Sequence, residues 1–110
     1  MKPIVTIDDF AKLDIRVGTV ADCIDVEKSE RLLKLTVDFG EEGTRTIFSG
    51  IKQWYTPEDL KGKQFIFIIN LEPRKMMGEF SEGMLLAAKG EEKPLPLQTD
   101  ALVLPGTTIV

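Results

Sequence analysis

The stretch Asn70-Leu71-Glu72-Pro73-Arg74-Lys75-Met76-Met77-Gly78 gathers side chains suited to holding an anion next to an aromatic ring. Arg74 can fork to a phosphate or stack on a base, and Lys75 adds a point charge. Asn70 offers a donor and an acceptor to a base edge. Pro73 and Gly78 punctuate the segment as a loop, and the apolar run before it places that loop at a barrel mouth or sheet edge. The competing reading is an ordinary solvated hairpin loop. Ser81-Glu82-Gly83-Met84 follows at once. The Ser81 hydroxyl suits a base or a phosphate. Met84 is either a soft apolar surface for a base or, as is usual at a strand start, part of the core. Lys34 lies on the polar side of an alternating strand. Arg31 and Ser49 can share its face, and Phe48, Trp54 and Tyr55 are candidate stacking platforms. Trp54 and Tyr55 adjoin a helix cap, which favours packing for that pair.

Other chemistries lack their parts. The chain has no histidine and one cysteine, Cys23, which removes the commonest general base and the usual zinc sets. There is no Walker A loop, no dinucleotide fingerprint and no EF-hand spacing of carboxylates. The expectation is therefore a non-enzymatic chain with no cofactor and no metal. A net charge of −4 argues against nucleic acid when taken alone. The acids, however, fall in helix starts, loops and a strand rim, whereas Arg16, Arg31, Lys34, Arg74 and Lys75 lie on or beside strands. That distribution leaves room for a basic face on an acidic molecule but does not by itself bring these residues together. The unpaired cysteine fits a reducing cytoplasm, the N-terminus lacks the apolar core of a signal peptide, and no apolar run is long enough for a membrane.

These groups must be positioned by a small β domain. The 110 residues make one domain, spanning 1–110. Thr6-Ile7-Asp8-Asp9 reads as a capping box opening a short helix to about Leu13, with Ile7, Phe10 and Ala11 facing inward. Ile15 to Val26 is rich in β-branched residues, and Gly18 marks a bulge or a close backbone approach. Leu33, Leu35, Val37 and Phe39 alternate with polar residues, the period of a half-buried strand. Gly40 to Gly43 turns the chain into Thr44 to Ser49 as a hairpin. Thr56-Pro57-Glu58-Asp59 opens a second short helix, ended by Gly62. Lys63 to Asn70 is a central strand, Gly83 to Lys89 is another, and a Pro-punctuated tail follows. Five or so strands with a short helix after the third give an all-β chain, an OB-fold, which is a five-stranded Greek-key barrel with short helices and a C-terminal extension. The pattern alone also admits an SH3-like barrel or a small sandwich.

Asp9-Phe10-Ala11-Lys12-Leu13-Asp14-Ile15-Arg16-Val17-Gly18 resembles the opening of the tRNA-binding domain carried by bacterial methionyl-tRNA synthetases and endothelial-monocyte-activating-polypeptide-like cofactors. Glu30 to Leu35, Phe48-Ser49-Gly50-Ile51, Asn70-Leu71 with Pro73-Arg74-Lys75, Ser81 to Met84 and Pro105-Gly106 match in order. The resemblance covers nearly the whole chain. It implies an OB-fold and a homodimer. It also implies non-catalytic binding of tRNA, as an appended or stand-alone module assisting methionyl-tRNA synthetase. The tRNA face it implies comprises Lys34, Asn70, Arg74, Lys75, Ser81 and Met84, with Arg31 and Ser49 as additional candidates, and it moves Met84 from core to site edge. A secretion-chaperone branch that binds polypeptide also resembles this domain and is the alternative. That branch tends to lack the Gly83-Met84 pair found here.

Overall fold

A computed structural model describes residues 1–110. The first helix, α1 (Ile7–Ala11), is short because its capping box supplies what length does not. Asp9 N–H donates to Thr6 Oγ1 at 3.1 Å, and Thr6 N–H donates back to the Asp9 carboxylate at 3.3 Å. Strand β1 (Ile15–Asp25) then pairs antiparallel with β2 (Leu33–Asp38), which pairs with β3 (Thr44–Ser49). In β2 every second residue, Leu33, Leu35 and Val37, is buried, as its period of two dictates. A 3-10 turn at Gly40–Glu42 closes the β2–β3 hairpin. Helix α2 (Pro57–Leu60) follows β3, opened by a second capping box between Thr56 and Asp59.

Strand β4 (Gln64–Ile68) pairs with β1 on one side and with β7 (Met84–Leu85) on the other. The strand order is β3-β2-β1-β4-β7, a five-stranded antiparallel sheet curled into a nearly closed OB-type barrel. The core fills it. Phe39 and Phe67 meet edge to face at 5.5 Å between ring centroids, both fully buried. Cys23 lies in the same core, where burial and the nearby Asp22 and Asp25 push its thiol up to about 11. Gly18 marks a close approach, because a Cβ there would meet Phe39 Cε1 at 2.6 Å. The irregularity in β1 falls elsewhere, between Val20 and Asp22.

Two expectations are corrected. Ile7, Phe10 and Ala11 of α1 do not face inward. No residue of α1 is buried, and Ile7 is 77% exposed. The amphipathic pattern is real, but nothing within one chain covers the apolar stripe. The expected strand from Gly83 to Lys89 is also broken. After β7 the chain leaves the barrel wall, and β8 (Ala87–Lys89) pairs with β9 (Pro94–Pro96) as a separate hairpin. Pro94 and Pro96 tolerate that position because a two-stranded ribbon has free edges where a missing N–H costs little.

The C-terminal residues return along β1. Gly106 N–H donates to Val17 O and Val17 N–H to Thr107 O, both at 2.8 Å, and Ile109 N–H donates to Ile15 O at 2.8 Å. The tail is thereby fixed beside the strand that begins just after α1.

Candidate functional site

The segment after β4 forms its own hairpin, β5 (Arg74–Met76) with β6 (Glu79–Ser81), in the register Arg74↔Ser81, Lys75↔Phe80 and Met76↔Glu79. Met77 and Gly78 both take positive φ, 50° and 84°, the backbone of a type I′ turn. The hairpin therefore presents Arg74 and Lys75 from a paired strand and not from a loose loop. Both are exposed, and neither has a carboxylate partner among the ion pairs of the chain.

The hairpin lies against the outer wall of the barrel near β3 and β7. Lys34 reaches it from β2, its ammonium 2.8 Å from Glu79 Oε1. Lys34 stands opposite Phe48 across the β2–β3 ladder, so these two share the outer face. Between hairpin and wall is a cavity of about 100 Å³ lined by Phe48, Leu71, Met76 and Met84, with Glu72 and Arg74 also on its lining. Met84 is 44% exposed and lines this cavity, outside the core.

Of the residues singled out from sequence, the structure brings Lys34, Arg74 and Met84 to this face, while Lys75, paired with Phe80, lies on the other side of the hairpin. Ser81 reaches the cavity but is spoken for. It is buried, its Oγ accepts from Phe48 N–H at 3.0 Å, and it donates to Gly83 O at 3.2 Å. Together with Glu82 N–H donating to Thr46 O at 2.8 Å, it closes the seam between β3 and the chain entering β7. Ser81 thus holds the site's floor in place. Ser49 pairs with Leu33, on the inner side of its strand, and does not share the Lys34 face. Arg31 is exposed near Gly50, at the β2–β3 rim. Arg16 is held by Asp14 at 2.8 Å and Glu42 at 3.3 Å, and its guanidinium is raised chiefly by the hydrogen bond to Asp14. It is committed to the barrel.

Asn70 is exposed, yet both ends of its amide are engaged. Oδ1 accepts from Asp14 N–H and Nδ2 donates to Lys12 O, each at 2.7 Å. The side chain clamps the turn between α1 and β1, 56 residues away in sequence. We expect Asn70→Ala to lose about 1–2 kcal/mol of stability, since two backbone groups lose their partner. The folded variant should keep its affinity for ligand at this face within about twofold of wild type. Thermal melts and ligand titrations on the same preparation check both. An unchanged melting temperature with weakened binding would return Asn70 to direct contact.

Sequence reasoning passed over Leu71, Glu72, Met76 and Glu79. The signal was there, because an x-Gly pair at Met77-Gly78 between short alternating runs marks a two-residue hairpin and would have paired Arg74 with Ser81. A larger and shallower hollow of about 330 Å³ lies beside Trp54 and Tyr55. Tyr55 donates its hydroxyl to Pro94 O at 2.7 Å, and Lys93 Nζ lies 5.1 Å over its ring, so that aromatic and that cation already satisfy each other. Tyr55 packs on the core, as its place beside a cap suggested, whereas Trp54 is 40% exposed. No cluster of metal-ligating side chains is present, and no helix is long and apolar enough to cross a membrane.

The family described as "Putative tRNA binding domain" matches residues 15–108. A methionine–tRNA ligase of Paraburkholderia xenovorans (strain LB400) is 50% identical over 111 residues, a match that takes in 96% of this chain and 16% of the ligase. The chain thus spans only a small part of the curated relatives it matches. A solved structure of a MetRS related protein from Pyrococcus horikoshii superposes with a TM-score of 0.92 at 36% identity, covering 99% of this chain and all of that one (100%). The chaperone CsaA of Bacillus anthracis str. Ames superposes with a TM-score of 0.88 at 30% identity, over 98% and 100% of the two chains.

Proposed function

The chain belongs to the tRNA-binding-domain family, and from that premise we propose that it binds tRNA without catalysis, in the cytoplasm, as a module that assists methionyl-tRNA synthetase. The observation that carries this reading is the β5–β6 hairpin, which carries two exposed cations without ion-pair partners, Arg74 beside an apolar cavity and Lys75 on its other side, on an otherwise acidic chain. Arg74 and Lys75 take phosphates, and Met84 and Phe48 supply the apolar edge. Lys34 joins them when a phosphate displaces the Glu79 carboxylate. That exchange is cheap, because a pair this exposed to solvent is worth little. A rigid barrel that grips phosphates and a few unstacked bases recognises folded RNA by shape. Tethered to a synthetase, it raises the local tRNA concentration.

The test is titration with bulk tRNA and with double-stranded DNA over a salt series. With three phosphate contacts, log affinity for tRNA should fall against log salt with a slope of roughly −2 to −3. Binding that ignores salt, or no binding at low salt, removes the reading. Polypeptide binding is the second reading, favoured by the likeness to CsaA. An unfolded polypeptide that binds while tRNA does not would select it.

We further propose a homodimer. Ile4 and Ile7 at one end, and Leu102, Leu104 and Val110 on the tail, are each more than three-quarters exposed. The tail lies beside β1 and α1 leads into it, so these side chains flank one strand. That exposed stripe suits a self-complementary interface, which typically buries about 800 Å² per partner. Light scattering at micromolar concentration should give twice the chain mass, and Leu102→Glu with Leu104→Glu should give the monomer. A wild-type monomer at that concentration counts against the interface.

A further inference from the structure

The cavity beneath the β5–β6 hairpin is small, enclosed and chemically mixed. At about 100 Å³ it is a space on the scale of one small flat ring. Phe48 forms a buried part of its wall, and Leu71, Met76 and Met84 bring flexible apolar side chains to it. Leu71 and Met84 are left substantially in water, so a flat occupant would cover them. Methionine sulfur against an aromatic ring adds a favourable contact.

Polar recognition falls to two side chains. Ser81 has spent its hydroxyl on the barrel seam. Glu72 and Arg74 line the cavity, and neither forms an ion pair or a side-chain hydrogen bond with the rest of the chain. One is an acceptor only and the other a donor only. Cytosine presents an N4 amino donor at one end of its pairing edge and acceptors at N3 and O2. Uracil turns an O4 acceptor to the place of that amino group, where it would face a carboxylate with no proton between them.

We propose that this cavity takes one unstacked pyrimidine of the bound RNA, with cytosine favoured over uracil by Glu72 and purines excluded by size. The inference rests on the reading of this face as tRNA-binding and adds to it a base-level preference. Glu72 accepts from the cytosine amino group. Arg74 donates to the ring acceptors or to the adjoining phosphate.

The experiment is competition against labelled tRNA at low salt with pentacytidylate, pentauridylate and pentaadenylate, on wild type and on Glu72→Gln. Pentacytidylate should compete roughly 5- to 10-fold better than the other two, the low end of what one specific base-edge contact gives. In Glu72→Gln, whose amide can turn either a donor or an acceptor to the base, the cytidine-to-uridine ratio should fall below about twofold while tRNA still binds. Labelled tRNA that binds but is displaced equally by all three pentamers, or by none, overturns the pocket and leaves the tRNA reading standing. A cytidine preference that survives Glu72→Gln also overturns the assignment. Failure of wild type to bind tRNA at all removes both.

Discussion

Arg74→Ala combined with Lys75→Ala should weaken tRNA binding by about 2–4 kcal/mol, roughly 30- to 1,000-fold, without changing the fold. Both side chains are exposed and lack ion-pair partners, so the barrel loses nothing it uses. Arg74 gives up a charge-assisted fork to phosphate or a stack on a base, and Lys75 a point charge. Each lost phosphate contact should flatten the slope of log affinity against log salt by about 0.7–0.9. The double variant should therefore retain little salt dependence beyond what Lys34 provides. Exposed substitutions of this kind usually shift stability by only about 0.5 kcal/mol, so the melting curve serves as the control. A double variant that binds as tightly as wild type would take the hairpin out of the interface. Weakened binding with an unchanged salt slope would mean that the two cations act on bases and not on phosphates.

Gly106→Ala should be the most damaging single change of a methyl group in the chain. Gly106 has φ +88°, a conformation that side chains avoid, and a Cβ there would fall on the carbonyl oxygen of Phe39. That carbonyl belongs to a fully buried residue in the centre of the core, so it cannot step aside. Strain at such a backbone position costs about 1–3 kcal/mol, and a clash with fixed atoms costs a similar amount. The tail is the part able to move. It should release the bonds of Gly106 and Thr107 to Val17, and the bond from Arg16 to Gly106 O at 3.2 Å. The expected result is a stability loss of at least about 2 kcal/mol in denaturant titration. Faster hydrogen exchange at Thr107 and Ile109 should accompany it. Wild-type stability in Gly106→Ala would show that the tail is not clamped at this point.

Most of the fold was legible because its signals are local. The alternation of Leu33, Leu35 and Val37 with polar residues is a property of six consecutive positions, and β2 appears where that alternation stands. Thr6 with Asp9, and Thr56 with Asp59, form capping boxes because the partners are three residues apart and need nothing else. The family resemblance was carried by ordered motifs that the chain displays without being folded. Arg74 and Lys75 were legible as free cations because a charged residue beside a proline and a glycine is seldom buried.

What the tertiary structure alone decided are the roles set by partners distant in sequence. Ser81 reads as a hydroxyl open to ligand, but the Phe48 N–H that it satisfies is 33 residues away and is brought in only by closure of the barrel. Asn70 reads as a base-edge contact until folding delivers Lys12 and Asp14 to its amide. Ser49 and Lys34 look alike as polar residues on neighbouring strands. The pairing register sends one inward and leaves the other outward, since a shift of one residue in a strand exchanges its two faces. The stripe of α1 predicted a buried face, and in the folded chain it lies in solvent. Amphipathicity states that an apolar surface needs a partner, and only the three-dimensional arrangement shows that the same chain does not provide it.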